Sequence, residues 1–441
     1  MLANWSDESH IRNAIAFDIS RAIDLPAPRY FYVSLYINNQ YKGLYQMTNK
    51  VEINKHALDI TDLEKLNKEK NSLPLKKYKK FRRKLRKGFL LDKSPDDITG
   101  GYLIEIVGFW SKYNRKNCGF KSSSGELIVI REPEHASKEE VEYIADYYNQ
   151  MECALLDSTG YNPITGKHYS QYLDLVSFAR SYLLNELLMN FDAGLTSFYM
   201  YKDCNDILFA GPSWDFDASL PGPSSWPGSH CCVNAIWAAS KLGSLGRAHS
   251  GGIFYNLLKH EDFRQIVCRE WKNSVSPTCN QLLENRVWDS LVDYLSYDAE
   301  RDFNLINHRQ SADYVLATRC PLDFLQERKK FLDWLLLTNG DDVISVADSI
   351  AVGKWANDRY MNLYYRVGEP IVYPKKVKGE DNGLIPAFYI SGTDSIIPNG
   401  TVLDNPIHLE MRWKKPAKEK SADATGQEEA QNQTINSSKE E

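Results

Sequence analysis

The apolar residues of this chain change their period near residue 137, and that change limits the fold more than any other feature. Upstream they alternate. Tyr30 to Ile37 and Tyr41 to Met47 place every second side chain on one face, with Asn38–Asn39 between them as a turn, the pattern of a β-hairpin. Downstream they recur every three or four residues. Glu140–Leu156 carries Val141, Ile144, Tyr148, Met151 and Leu155 along one side, and residues 171–190 repeat the device with Tyr172, Val176, Ala179, Leu183 and Leu187. The pattern predicts an α+β fold: an N-terminal lobe built on an antiparallel sheet, then a mainly helical lobe.

A two-stranded ribbon is marginal alone, so the hairpin is expected to join further strands at Tyr102–Val107 and Leu127–Ile130. A helix over 7–23, capped by Ser6 or Asp7 and stopped by Pro26 and Pro28, is expected to pack on that sheet. More helices are predicted around 252–273, 279–297 and 322–337. The expected units are 1–135, with a basic insertion at 65–90; 136–340, the helical lobe; 341–413, a small β-rich appendage; and 414–441, a polar tail too poor in apolar residues to order itself.

At 441 residues, with 43% apolar and 25% charged residues, the chain has enough material for more than one packed unit. A net charge of −5 excludes a molecule built throughout to bind polyanions. The basic run from Lys76 to Lys87 is local, and reads either as a solvated helical or disordered insertion or as a contact for acidic or phosphorylated protein. Nothing in it reads bases, so nucleic acid is not the expected partner. No apolar stretch reaches the 18–20 residues of a transmembrane helix, and the first residues show no signal peptide. The eight cysteines lack metal-ligand spacing and read as free thiols, the vicinal pair Cys231–Cys232 included.

The chemistry concentrates in 185–219. A helix ends near Asn190 and Asp192 follows in a loop. Phe198 to Lys202 and Ile207 to Ala210 read as two strands around the turn cluster Asp203-Cys204-Asn205-Asp206, and Asp215-Phe216-Asp217 comes after them. A hairpin brings its first and last residues side by side, so Asp192 and Asp215 should converge at its open end. Two readings fit. The aspartates are turn caps, or they are the two acids of phosphoryl transfer, one orienting the hydroxyl proton and the other holding the metal that bridges nucleotide phosphates. Paired acids with a metal also serve hydrolases and nucleotidyl transferases.

Five segments in order resemble the CotH family of spore-coat proteins, described as atypical kinases. They are Leu2-Ala-Asn4 with Arg12-Asn13; Val33 to Asn38 with Tyr41-Lys-Gly-Leu-Tyr45; Gly100 to Glu105; Asn185-Glu186 with Asp192; and Gly211 to Asp217. Because the first of these motifs lies at the start of the chain, an upstream part of the family domain is expected to be missing. The resemblance implies a protein-kinase-like two-lobed fold and transfer of the ATP γ-phosphoryl group to Ser or Thr of a protein, with Mg²⁺ or Mn²⁺. It implies Asp192 as the catalytic acid, Asp215 as metal ligand with Asp217 beside it, and Lys50 and Arg12 as phosphate-binding or site-shaping groups. It also suggests a spore-coat or cell-surface setting. The reading from another class is a non-catalytic structural or coat protein on a kinase-like scaffold.

Overall fold

The computed structural model describes residues 1–83, 85–107, 118–190, 192–193, 196–222, 233–236, 252–305, 313–338, 343–348, 350–351, 357–359, 362–373 and 385–414. The Cys231–Cys232 pair and the tail beyond Lys414 lie outside them. The fold is mixed α+β, with its sheets largely antiparallel.

Helix α1 (Arg12–Ala22) begins five residues later than the periodicity suggests. Asp7 is drawn into the turn ahead of it: one carboxylate oxygen accepts the Ser9 amide N–H at 3.0 Å and the other accepts that of Arg12 at 2.9 Å. Ile11, Ile15, Phe17 and Ile19 are fully buried. α1 packs on two other helices, α4 (Leu175–Leu187) and α7 (Ser276–Glu284), and also meets Tyr30 of the following strand, whose hydroxyl donates to Asp18 at 2.8 Å.

Strands β1 (Tyr30–Ile37) and β2 (Gln40–Thr48) form the expected hairpin, with Asn38 and Asn39 both at positive φ. Asparagine tolerates that region better than most residues, and the twist of such a turn suits a two-residue loop. The hairpin does not join the strands at 102–107 and 127–130; it stays a two-stranded sheet. Helix α8 (Asp289–Leu305) supports it instead, Asp302 accepting the Leu44 amide N–H at 2.9 Å, while Leu2 bridges to Gln46.

The main sheet has seven antiparallel strands. Their order is β3 (Lys80–Arg83), β4 (Arg86–Phe89), β6 (Cys118–Lys121), β7 (Leu127–Glu132), β5 (Tyr102–Ile106), β8 (Phe198–Lys202) and β9 (Leu208–Ala210). Every residue of β5 is buried. Helix α3 (Lys138–Leu156) packs across β4 and β6, and its N-terminus carries a reciprocal Ser137–Glu140 capping box. Glu140 also accepts both of its 3.0 Å bonds from the Asn67 amide in α2 (Leu63–Lys70). The basic run is therefore neither helix nor coil: apart from Lys84, which lies outside the described residues, it is a 3-10 turn (Leu75–Lys77) and the edge hairpin β3–β4. β8 and β9, from beyond residue 135, extend this same sheet.

Helices α5 (Ile253–Leu257), α6 (Glu261–Glu270), α7, α8 and α9 (Tyr314–Leu337) complete the helical part. α6 runs into α7 through a π turn at Trp271–Val275. Pro277, with no N–H to donate, sits just past that turn, where the regular hydrogen-bond register would need one.

A second, six-stranded sheet has the order β10 (Ala235–Ile236), β14 (Asn362–Arg366), β11 (Val343–Asp348), β17 (His408–Lys414), β15 (Ile385–Ile390) and β16 (Ile396–Ile397). β11 and β17 are parallel, and a short pair, β12 (Ile350–Ala351) with β13 (Asn357–Arg359), lies apart. Leu363, Phe388, Leu409 and Met411 form its core together with Ala235 and Met189, so this sheet is anchored next to the end of α4.

Candidate active site

Helix α4 is apolar and almost wholly buried, and its last turn is polar for a reason. Asn185 and Asn190 bond through their side chains at 2.9 Å, Asn185 donates on to the Ser181 carbonyl at 2.8 Å, and Asn190 accepts the Asp192 amide N–H at 3.2 Å. Met189, at φ 47°, turns the chain out of the helix. The backbone of Asp192 is thereby fixed from the helix end.

The second acidic segment is held from the other side. After β9, Ser213 donates its amide N–H to the Pro26 carbonyl at 2.8 Å. Phe216 donates its N–H to the Asn13 side chain at 2.8 Å, and Leu220 donates to the Leu188 carbonyl at 2.8 Å. Arg12, only 1% exposed, donates Nη1 to the Asp217 carbonyl at 2.8 Å, while its Nε lies 3.5 Å from Asp7. Gly222 leaves the guanidinium its space, since a Cβ there would lie 2.4 Å from Nη2. Asp215 itself takes φ 64°, and Ser197 (φ 53°) donates its hydroxyl to Asp215 Oδ2 at 2.9 Å. Two neighbouring residues in left-handed conformations, bonded to each other, mark a place where packing overrides backbone preference.

Burial, and then the Asp215 charge, pushes the Asp192 carboxyl up to about 6. Asp217 is pushed up to about 7 by burial and by Asp215, Asp7 and Asp192, with Arg12 opposing. The Asp215 charge thus acts on both of the other carboxyls. The structure therefore brings Asp192, Asp215, Asp217 and Arg12 together. It leaves Lys50 elsewhere: Lys50 is exposed, its Nζ lies 3.1 Å from Glu52, and it lines an adjacent cavity of about 390 Å³ with Arg21, Arg29 and His56. None of the three aspartates lines that cavity; Pro212, from the acidic segment, walls both it and the crevice around Asp192.

Among the described residues no group of three or more His, Cys, Asp or Glu is disposed to hold a metal alone. That argues against an all-protein cage. It fits an ion such as Mg²⁺, which takes one or two carboxylates and completes its shell with water and phosphate oxygens. Asp215 and Asp217 are the carboxylates that could hold it, and a cation there would offset the burial, and then the mutual repulsion, that raise Asp192 and Asp217.

Asn13, Asn190 and Ser197 are the positioning residues that sequence reasoning does not single out for these roles. The one visible signal is the polar pair Arg12–Asn13 opening a helix that is otherwise apolar.

A family model described as CotH kinase protein matches residues 1–332. The chain belongs to the CotH family. The match includes α1, the seven-stranded sheet, both acidic segments and most of α9, and it stops before β11. No curated protein matches the chain. The six cysteines described in this CotH member are free thiols, Cys118 and Cys279 buried among them. No described helix is long and apolar enough to cross a membrane.

Proposed function

We propose that this CotH-family chain is an atypical protein kinase that transfers the γ-phosphoryl group of ATP to a Ser or Thr hydroxyl of a protein, using Mg²⁺ or Mn²⁺. The observation that carries the reading is the gathering of Asp192 and Asp217 around Asp215, with the Arg12 guanidinium beside them spent on the Ser6 and Asp217 carbonyls and on Asp7. Such a site is incomplete without a cation.

Asp192 accepts the proton as the acceptor oxygen bonds to the γ-phosphorus, and the bond from that phosphorus to the β,γ-bridging oxygen breaks to release ADP. A carboxyl raised to about 6 is still mostly ionised at neutral pH and is a better base there than an ordinary aspartate. Asp215 and Asp217 would hold the metal, which when bound supplies charge neutralisation at the phosphate oxygens. Ser197 keeps the Asp215 carboxylate oriented, and Arg12 and Asn13 hold its backbone. The cavity that Lys50, Arg21 and Arg29 line is the proposed approach for nucleotide phosphates. The kinase-like division into two lobes is part of this proposal.

The test is a thermal-shift titration with ATP plus Mg²⁺ or Mn²⁺ on the wild type and on Asp215→Ala. Ligand at about 100 times its dissociation constant adds about 2.7 kcal/mol to a native state. A metal-dependent rise that disappears in the variant supports the kinase reading. Absence of any rise in the wild type would instead favour a non-catalytic scaffold.

A further inference from the structure

The edge of the seven-stranded sheet carries a second feature, remote in sequence from the acidic cluster. β3 is the terminal strand, and among the described residues nothing pairs with its outer side. Beside it lies a pocket of about 340 Å³ whose rim holds three cations, Arg83, Arg86 and Lys121. Arg86 is tied to Asp146. No ion pair engages Arg83 or Lys121 among the described residues. Ser123 and Asn149 complete the lining with Ser122, whose hydroxyl already donates to Glu152 at 2.9 Å. The local field is positive: Lys87, buried on β4, has its ammonium pushed down to about 8, by burial first and then by Arg82 and Lys80.

We propose that this pocket docks a phosphoserine of a protein segment, with the peptide running along the free edge of β3. Cations converging on one cavity suit a phosphate monoester. A strand edge supplies peptide N–H and C=O groups that a partner backbone pairs with. A continuous nucleic-acid backbone is disfavoured, because Glu142 stands in the same wall and the charge is confined to one end of one sheet. The link to substrate rests on the kinase reading: a product phosphate held here would bring the neighbouring serines of the same segment back to the Asp192 cleft. The binding site itself does not rest on it.

The experiment is fluorescence anisotropy on the full chain without ATP. It uses a labelled peptide with one phosphoserine, its unphosphorylated twin, and the variant Arg83→Glu/Lys121→Glu. The expected result is at least tenfold tighter binding of the phosphopeptide, lost by tenfold or more in the variant, while the variant's ATP–metal thermal shift stays as in the wild type. Equal binding of the two peptides overturns the proposal, as does a variant that keeps its preference. Inorganic phosphate competing as well as the peptide would make this a free-phosphate site, and a single-stranded oligonucleotide competing more tightly would make it a nucleic-acid surface; either overturns it too. Since no ATP is present, phosphopeptide binding by a chain that fails the ATP titration separates the two readings.

Discussion

The ion pair between Glu186 and Arg328 is the most informative place to disturb the fold without touching the acids. Both residues are fully buried. Arg328 Nη2 donates to Glu186 Oε1 at 2.6 Å, Nε and Nη2 reach the Glu186 carbonyl at 3.2 Å, and Nη1 donates to the Val233 carbonyl at 2.5 Å. One guanidinium thus joins α4, just before Asp192, to α9 and to the approach of β10. Arg328→Met removes it and takes the guanidinium partner from a buried carboxylate and two carbonyls. A buried pair broken from one side costs about 3–5 kcal/mol, because the remaining charge has lost its partner. At about 2–4 °C per kcal/mol for a large domain, the melting temperature should fall on the order of 10 °C. Glu186→Leu/Arg328→Met removes both charges and should be less destabilised than the sum of its single changes, by about 1–3 kcal/mol. The assay is thermal unfolding of the four proteins. Single changes that cost under about 0.5 kcal/mol, or a strictly additive double, would refute the argument.

Asn13→Ala should leave the Phe216 N–H, now bonded at 2.8 Å, without its acceptor; a loss of about 1–3 kcal/mol is expected, read by unfolding, together with a weaker ATP–metal shift. Gly222→Ala puts a Cβ 2.4 Å from Arg12 Nη2 and should displace the guanidinium from the Asp217 carbonyl, so the metal-dependent shift should fall far more than the metal-free melting temperature. On the kinase reading, Asp192→Asn should cut transfer by about 10²–10⁴-fold while sparing the ATP–metal shift, measured by phosphate incorporation into a protein acceptor. Burial pushes the Glu140 carboxyl up to about 7 from 4.5, so the native state keeps a proton that the unfolded chain releases; stability should fall as pH rises from about 4.5 to 7, and the fall in the urea midpoint should lessen in Glu140→Gln. The carboxyls whose pKa values are lowered, such as Asp97 and Asp203, titrate below that window and do not mask it.

What was legible in the sequence follows the range of the forces involved. α3 and α4 appear within a few residues of their expected places because an amphipathic stripe and a capping residue are local signals. The β1–β2 hairpin is legible from Asn38–Asn39, but its support is not: Leu44 bonds to Asp302, 258 residues away. The basic run escapes because a strand at a sheet edge can carry charge on its outer face while Phe81 and Phe89 pack inward. At the site, the nearness of Asp192 to Asp215 is implied by a hairpin that starts after one and ends before the other. The clamp from Arg12 and Asn13 spans 205 and 203 residues, and no local pattern encodes it.

That long reach explains why so polar a helix start is tolerated in the centre of the core. Arg12 and Asn13 are 1% and 2% exposed, and unpaired groups there would each carry a desolvation cost. They escape it by bonding to the backbone of the acidic segment, whose amide and carbonyl at Phe216 and Asp217 need partners of their own once buried. The arrangement is reciprocal: the helix satisfies the loop, and the loop satisfies the helix. A carboxylate cluster that repels itself is then held by contacts to its main chain, and among the described residues no ion pair engages the Asp217 carboxylate. The same residues that make α1 an awkward helix by composition therefore fix the backbone of the segment whose Asp215 and Asp217, on the kinase reading, would hold the metal.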